Sequence, residues 1–181
     1  IPDTLIQGLT GHPFGSPDMI GGGEYTCFLN GNENACTPEM FVRYAQIAAL
    51  MPVMQFSASP WRVLPEADFQ KVKDALALRE KCLPEILKAV ENAKATGEPI
   101  ARSMEFVFPG QGMERVMDQF MVGDALLVAP VWKQGEVVRS VTLPEGQWRC
   151  VGLGETEGDV LNGGRDVILG ENEGLVVLKR V

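Results

Sequence analysis

Near residue 97 the periodicity of the chain changes, and this change limits the folds open to it. Before it, two stretches repeat apolar residues at three- and four-residue steps. The first carries Met40, Phe41, Tyr44, Ile47, Ala48 and Met51, the second Val72, Leu76, Leu83, Ile86, Leu87 and Val90. Such spacing gathers apolar side chains on one face of a helix. Thr37 is a capping residue and Pro38 suits a first turn, so one helix starts there and stops at Pro52. The other covers about Glu66 to Ala95, and Thr96-Gly97-Glu98-Pro99 ends it with a glycine and a proline. Beyond it the period is closer to two, in short runs at 125–128, 137–143, 167–169 and 174–178 separated by turn residues, which is the signature of strands.

Two further strands flank the first helix. His12 to Ile20 reads as a short buried strand that ends in Gly21-Gly22-Gly23, and Val53 to Ser57 as a compact one followed by the loop Ala58 to Arg62. Ile1 to Leu9 reads as the tail of an earlier element. Strand, helix, strand and helix followed by several short strands describe the end of a parallel α/β unit, residues 1–97, joined to an antiparallel β domain, residues 98–181. A chain of 181 residues buries enough surface to hold together without disulfides or metals.

A formal charge of −8 and a pI near 4.7 leave no basic stripe for phosphates, so nucleic acid and anionic membrane surfaces are excluded as partners and a neutral ligand suits the chain better. No window approaches the roughly 20 apolar residues that span a bilayer. The start, Ile1-Pro2-Asp3-Thr4, has neither the basic nor the apolar region of a leader, and without an initiator Met it leaves an upstream signal open. Four scattered cysteines with no CxxC pair, and a single histidine, His12, make no metal site. Cys27 and Cys36 flank a short Asn- and Gly-rich loop and could be bridged, although buried thiols are the commoner state. No cofactor motif appears, because Gly21-Gly22-Gly23 lacks the Lys-Ser or Lys-Thr of a phosphate loop. No nucleophile elbow surrounds Ser57 or Ser59, and a lone His12 in an apolar strand reads as a satisfied core group.

Side chains at the C-terminal ends of parallel barrel strands face the mouth of the barrel. On that ground Asp18, Gln55 and Ser57 are the candidate substrate-binding residues. Asp18 stands before three glycines that let backbone approach a ligand. Trp61, beside Pro60 in the following loop, is a candidate stacking platform for a sugar, with a core role or a hydrophobic lid as its alternatives. None of these is assigned a catalytic role.

The residues also carry a resemblance. Gly15-Ser16-Pro17-Asp18-Met19-Ile20-Gly21-Gly22 is similar to the segment of glycoside hydrolase family 31 in which a barrel strand ends in Asp followed by Ile-Gly-Gly. Phe41 to Gln46 resembles the family's Arg-Trp-x-Gln helix, and Pro52 to Ser57 occupies the place of its next strand. Leu78-Arg79 through Arg102 resembles its last barrel helix and Pro-x-x-Arg segment. Gln119 to Val131 resembles the signature Gln-Phe-x-x-Gly-x-x-Leu-Leu-Val-Ala-Pro-Val, followed by Leu143-Pro144-Glu145-Gly146-Gln147-Trp148.

The resemblance implies the C-terminal portion of a (β/α)8 TIM barrel, its seventh and eighth units, followed by an antiparallel β-sandwich. It implies a retaining, exo-acting α-glycosidase whose nucleophilic and acid/base Asp residues lie on earlier strands, so that this segment binds an oligosaccharide or glycoside but does not attack it and is inactive alone. The partner implied is the remainder of the same polypeptide or a complementary chain, in a periplasmic, extracellular or secretory compartment in preference to the cytoplasm. Arg43 is expected to hold loop structure by ion pairing. Typical α-glucosidases of the family carry Arg-Asn-His where this chain has Gln55-Phe56-Ser57. That run, with its Pro-Trp, resembles the subgroup containing the myogenesis-regulating glycosidase, in which α-galactosidase activity is known, and it implies α-galactosides. The alternatives are α-glucosides or α-xylosides within the family, or a non-catalytic carbohydrate-binding or structural fragment.

Overall fold

A computed structural model of the chain describes residues 1–22, 36–152, 157–169 and 174–181. Helix α1 (Pro2–Leu9) opens the chain, followed by α2 (Pro38–Ala49), the short α3 (Pro60–Val63) and the long α4 (Glu66–Thr96). The caps are those the sequence predicts. The Thr37 hydroxyl accepts the Met40 N–H at 3.2 Å, and Gly97 closes α4 in the left-handed conformation that glycine adopts without strain.

After Gly97 the chain forms β1 (Ala101–Arg102), the short α5 (Met104–Val107), β2 (Phe120–Val122), β3 (Leu126–Pro130), β4 (Arg139–Leu143), β5 (Gln147–Cys150), β6 (Val160–Asn162), β7 (Arg165–Leu169) and β8 (Leu175–Arg180). One antiparallel sheet has the order β1-β2-β3-β8-β5-β6, and β4 pairs with β7 in a second. The two sheets pack into a sandwich. The alternation of side chains explains why the run Leu126 to Pro130 is apolar without a break. Leu127 and Ala129, with Met121, Val176 and Leu178, meet Val141, Leu143, Val167 and Leu169 of the smaller sheet across Trp148. Leu126 and Val128, with Phe120, Val122, Leu175 and Val177, face the helices instead. Strands β2, β3 and β8 of the large sheet therefore lie in the middle of three layers, buried on both faces.

Helix α4 covers that second face with Ala75, Leu78, Cys82, Ile86, Ala89 and Ala93. This corrects the face read from the sequence. Val72 and Ile86 are buried as expected, but Leu76, Leu83 and Leu87 are exposed, Leu87 by 52%. The small residues turn inward because the sheet comes close: a Cβ on Gly123 would stand 3.2 Å from that of Ala89. Cys82 is a buried thiol, and burial, ahead of neighbouring charges, raises its pKa.

The parallel strands expected at 12–20 and 53–57 shrink to a single bridge, Ile20 with Phe56. Pro13 and Pro17 have no N–H to give to a ladder, and among the described residues neither segment has another strand beside it. His12 is a second correction, since it is exposed and not in a core. Gly11, at φ +95°, turns the chain out of α1, and the His12 N–H donates to the Gln7 carbonyl. The question of a Cys27–Cys36 bridge lies outside the described residues. Among those residues no helix is long and apolar enough to cross a membrane, and no cluster of possible metal ligands forms.

Arg79 of α4 ties the helices to the second segment. Its Nη1 donates to the Ala49 and Met51 carbonyls at 2.6 and 2.7 Å, and its Nη2 to that of Pro52 at 3.2 Å. It closes the C-terminus of α2 with the one side chain whose fork reaches several carbonyls at once. Burial pulls its pKa below the ordinary value, and the carbonyl dipoles offset that burial. Replacing it leaves these acceptors without a partner. Arg79→Met is expected to destabilise the chain by about 2–3 kcal/mol, and Arg79→Lys by less, read as a lowered urea midpoint with an unchanged slope.

Candidate functional site

Ile20 is fully buried and joins the two segments that carry the candidate residues. Its N–H donates to the Gln55 carbonyl at 3.0 Å, and its carbonyl accepts the Ser57 N–H at 3.0 Å and the Ser57 hydroxyl at 2.7 Å. These bonds bring Asp18, two residues before Ile20, to the end of the unit that holds Gln55 and Ser57. Below them Ile20, Phe41, Val42, Ala45, Ala48 and Val72 form a small apolar cluster, against which Met54 and Phe56 pack.

Helix α2 fixes which end this is. Phe41, in its first turn, stacks on Phe56 with ring centroids 6.1 Å apart, while Ala49, its last residue, leads within a few residues to Val53. The helix therefore runs antiparallel to the second segment, and its N-terminus lies at the Ser57 end. Helix α3 follows Ser57 directly and carries Trp61, whose ring is 66% exposed and stands edge-on to Phe69 at 6.4 Å. Of the alternatives for Trp61, the buried core is thus ruled out.

The candidate side chains differ in how much freedom they keep. Asp18 is exposed and its Oδ1 accepts the Met19 N–H at 2.7 Å, while among the described residues no bond is made to its other oxygen. Gln55 is exposed. Ser57 is half-buried, and its hydroxyl proton is committed to Ile20, so it can accept from a ligand but does not donate to one. Sequence reasoning missed Tyr44. Burial, and after it the negative charge of Asp18, raise the pKa of its phenol. The only signal in the sequence was a tyrosine at the partly buried edge of an amphipathic helix.

Arg43 holds a loop as expected, but by a hydrogen bond to its backbone, the ion pair lying within α2. It is paired with Glu39 at 3.8 Å, and its Nη2 donates to the Glu136 carbonyl at 2.7 Å. Glu39 also accepts the Gly135 N–H at 2.8 Å. The loop after β3 is thereby fastened to the first turns of α2.

Residues 97–167 match the glycosyl hydrolase family 31 C-terminal domain. The chain is 38% identical to the myogenesis-regulating glycosidase of Mus musculus, over 82% of this chain and 21% of that protein. The chain belongs to glycoside hydrolase family 31. It is 33% identical to a probable glucan 1,3-alpha-glucosidase of Arabidopsis thaliana over 86% of its own length and 17% of the other's. Its fold superposes on a family 31 alpha-xylosidase from a soil metagenome, solved with xylose, with a TM-score of 0.83 at 26% identity, covering 98% of this chain and 29% of that one. The chain spans about a fifth of the length of the first two relatives it matches, both at 21%.

Two measurements check this geometry. Ser57→Ala is expected to destabilise the chain by about 1 kcal/mol in urea, because the Ile20 carbonyl keeps only its backbone partner. Phenolate absorbance should show Tyr44 ionising above the ordinary tyrosine value of 10.0, and Asp18→Asn should bring that ionisation down without abolishing the shift, since burial remains. The sign follows from linkage: a raised folded-state pKa stabilises the protonated fold fully below pH 10, and stability is lost as pH rises through the folded value.

Proposed function

We propose that the protein to which this segment belongs is a retaining, exo-acting α-glycosidase that removes terminal α-linked sugars, α-galactosides first among them. Residues 1–97 supply the last two barrel units and residues 98–181 the β-sandwich that supports them. Asp18 binds hydroxyls of the terminal sugar, Gln55 and the accepting face of Ser57 complete that edge, and Trp61 offers an apolar ring to a sugar face. In this mechanism one carboxylate attacks the anomeric carbon while a second, about 5 Å away, protonates the leaving oxygen. Both acids are assigned to other barrel strands, and no carboxylate of this segment attacks.

The observation that supports the reading is the Ile20–Phe56 bridge, which joins the segment of the exposed Asp18 to that of the exposed Gln55, with the exposed Trp61 four residues after Ser57. Neutral polyols are bound by such combinations of open acceptors and apolar faces. The preference for galactose is supported by likeness to the myogenesis-regulating glycosidase and by Ser57 standing where glucosidases of the family carry histidine. A serine whose proton is already held by Ile20 cannot replace an imidazole as a donor to a sugar hydroxyl.

The test uses the longer protein with aryl α-galactoside, α-glucoside and α-xyloside. Faster turnover of the galactoside, with retention of the anomeric configuration, is expected. Asp18→Asn should lower kcat/KM by about a hundredfold, the scale of one or two lost charge-assisted hydrogen bonds. Preference for glucoside or xyloside would overturn the sugar assignment, and turnover of none would leave a non-catalytic carbohydrate-binding protein. The 181-residue chain alone is expected to hydrolyse none of them.

A further inference from the structure

Trp132 follows the buried signature run of β3 and begins a loop, residues 132–138, that belongs to the β-sandwich in sequence but not in its attachments. Two of its backbone groups are held by side chains nearly a hundred residues earlier: the Gly135 N–H by Glu39 and the Glu136 carbonyl by Arg43. Lys133 pairs with Glu136 at 3.5 Å and lies over the Trp132 ring at 5.2 Å. At the loop's base the Val131 N–H donates to the Gly174 carbonyl at 2.8 Å. A side chain at Gly174 would collide with the Arg43 guanidinium and with Gln46, so this contact is built to admit the arginine.

The clamp acts at a particular end of the molecule. Glu39 and Arg43 lie in the first turns of α2, beside Phe41, and Phe41 stacks on Phe56 one residue before Ser57. The loop is therefore brought to the same end as Asp18, Ser57 and Trp61. Its indole is 43% exposed, in a loop whose backbone is held at Val131, Gly135 and Glu136. A ring on backbone held in this way presents an apolar, amphipathic face that a sugar can stack on.

We propose that Trp132 is a specificity-determining residue of the sugar site: its ring stacks on the part of the substrate beyond the scissile bond, and Glu39 and Arg43 are the positioning residues that hold its loop at the rim. This deepens the glycosidase reading and rests on it. A pocket that closes round a terminal sugar leaves the rest of the substrate to project outward, across the rim elements farthest from the pocket floor. The loop is tied to the N-terminal end of α2, so the ring is assigned to the projecting portion and not to the enclosed sugar.

The experiment uses the longer protein and two substrates of whichever sugar it turns over fastest among galactose, glucose and xylose. One is an α-linked disaccharide and the other the α-glycosyl fluoride, which carries no ring beyond the scissile bond. Trp132→Ala should lower kcat/KM on the disaccharide about tenfold, mainly through KM, and leave the fluoride within about twofold. Trp132→Phe should restore most of the loss. Arg43→Ala, which releases the loop, should shift the ratio of the two substrates in the same direction. Equal losses on both substrates, or no change on either, would overturn the proposal. Asp18→Asn separates the two readings: it should weaken both substrates alike, and if it leaves both unchanged while the Trp132 pattern appears, the pocket assignment fails and the rim assignment stands.

Discussion

The closeness of α4 to the large sheet sets the geometry of everything else. Its inward face is built from Ala75, Ala89, Ala93 and the small Cys82, with Leu78 and Ile86 between them, so the helix lies nearer the strands than a leucine-lined face would permit. Gly123 answers from the sheet by having no side chain to put in the way. Added bulk there would separate layers whose cost of separation is large, because Phe120, Val122, Leu126, Val128, Leu175 and Val177 all depend on the helix for cover. One core thus runs through both sides of residue 97. Arg102 marks the same junction with charge: its side chain is buried, its Nε donates to the Pro99 carbonyl, and its two terminal nitrogens reach Glu98 and Asp124 at 3.0 and 2.6 Å.

Because α4 is fixed to the sheet, what α4 holds is fixed as well. Arg79 grips the end of α2 and the start of the second segment, and Phe41 grips that segment's other end. Helix α2 is left as a strut with its two ends engaged on different partners. One side meets the Ile20–Phe56 pair and puts Tyr44 under the influence of the Asp18 charge, and the other, through Glu39 and Arg43, meets the loop after β3. Among the described residues the candidate site is tied to the sandwich through two helices.

How much of this was legible follows from which forces leave a period in the sequence. Both long helices, the glycine stop at Gly97 and the strands β3, β4, β7 and β8 repeat apolar residues or carry caps, and all of them stand where the periodicity set them. The inward face of α4 did not, because hydrophobicity ranks Leu87 above Ala89, and only the proximity of Gly123 reverses the order. His12 was drawn into a strand by its apolar neighbours, although Gly11 and Pro13 on either side of it deny it one. In the site, Asp18 and the segment Gln55 to Ser57 could be named from their place at segment ends. The commitment of the Ser57 hydroxyl to Ile20 and the influence of the Asp18 charge on Tyr44 join residues far apart in sequence, and such couplings leave no local pattern.

The contacts that left no pattern share a physical form. Arg79 to three carbonyls, Ser57 to Ile20, Arg43 to Glu136 and Glu39 to Gly135 are all bonds from a side chain to distant backbone. A sheet ladder fixes backbone through many weak bonds of one kind and depends on having neighbours on both edges. Among the described residues the segments that carry Asp18 and Ser57 share one bridge, and side-chain bonds add to it. Each such bond is individually modest, but each orients a particular carbonyl or N–H and leaves the side chains next to it free. That division suits a binding rim, where backbone must be still and Asp18, Gln55 and Trp61 must remain open to a ligand.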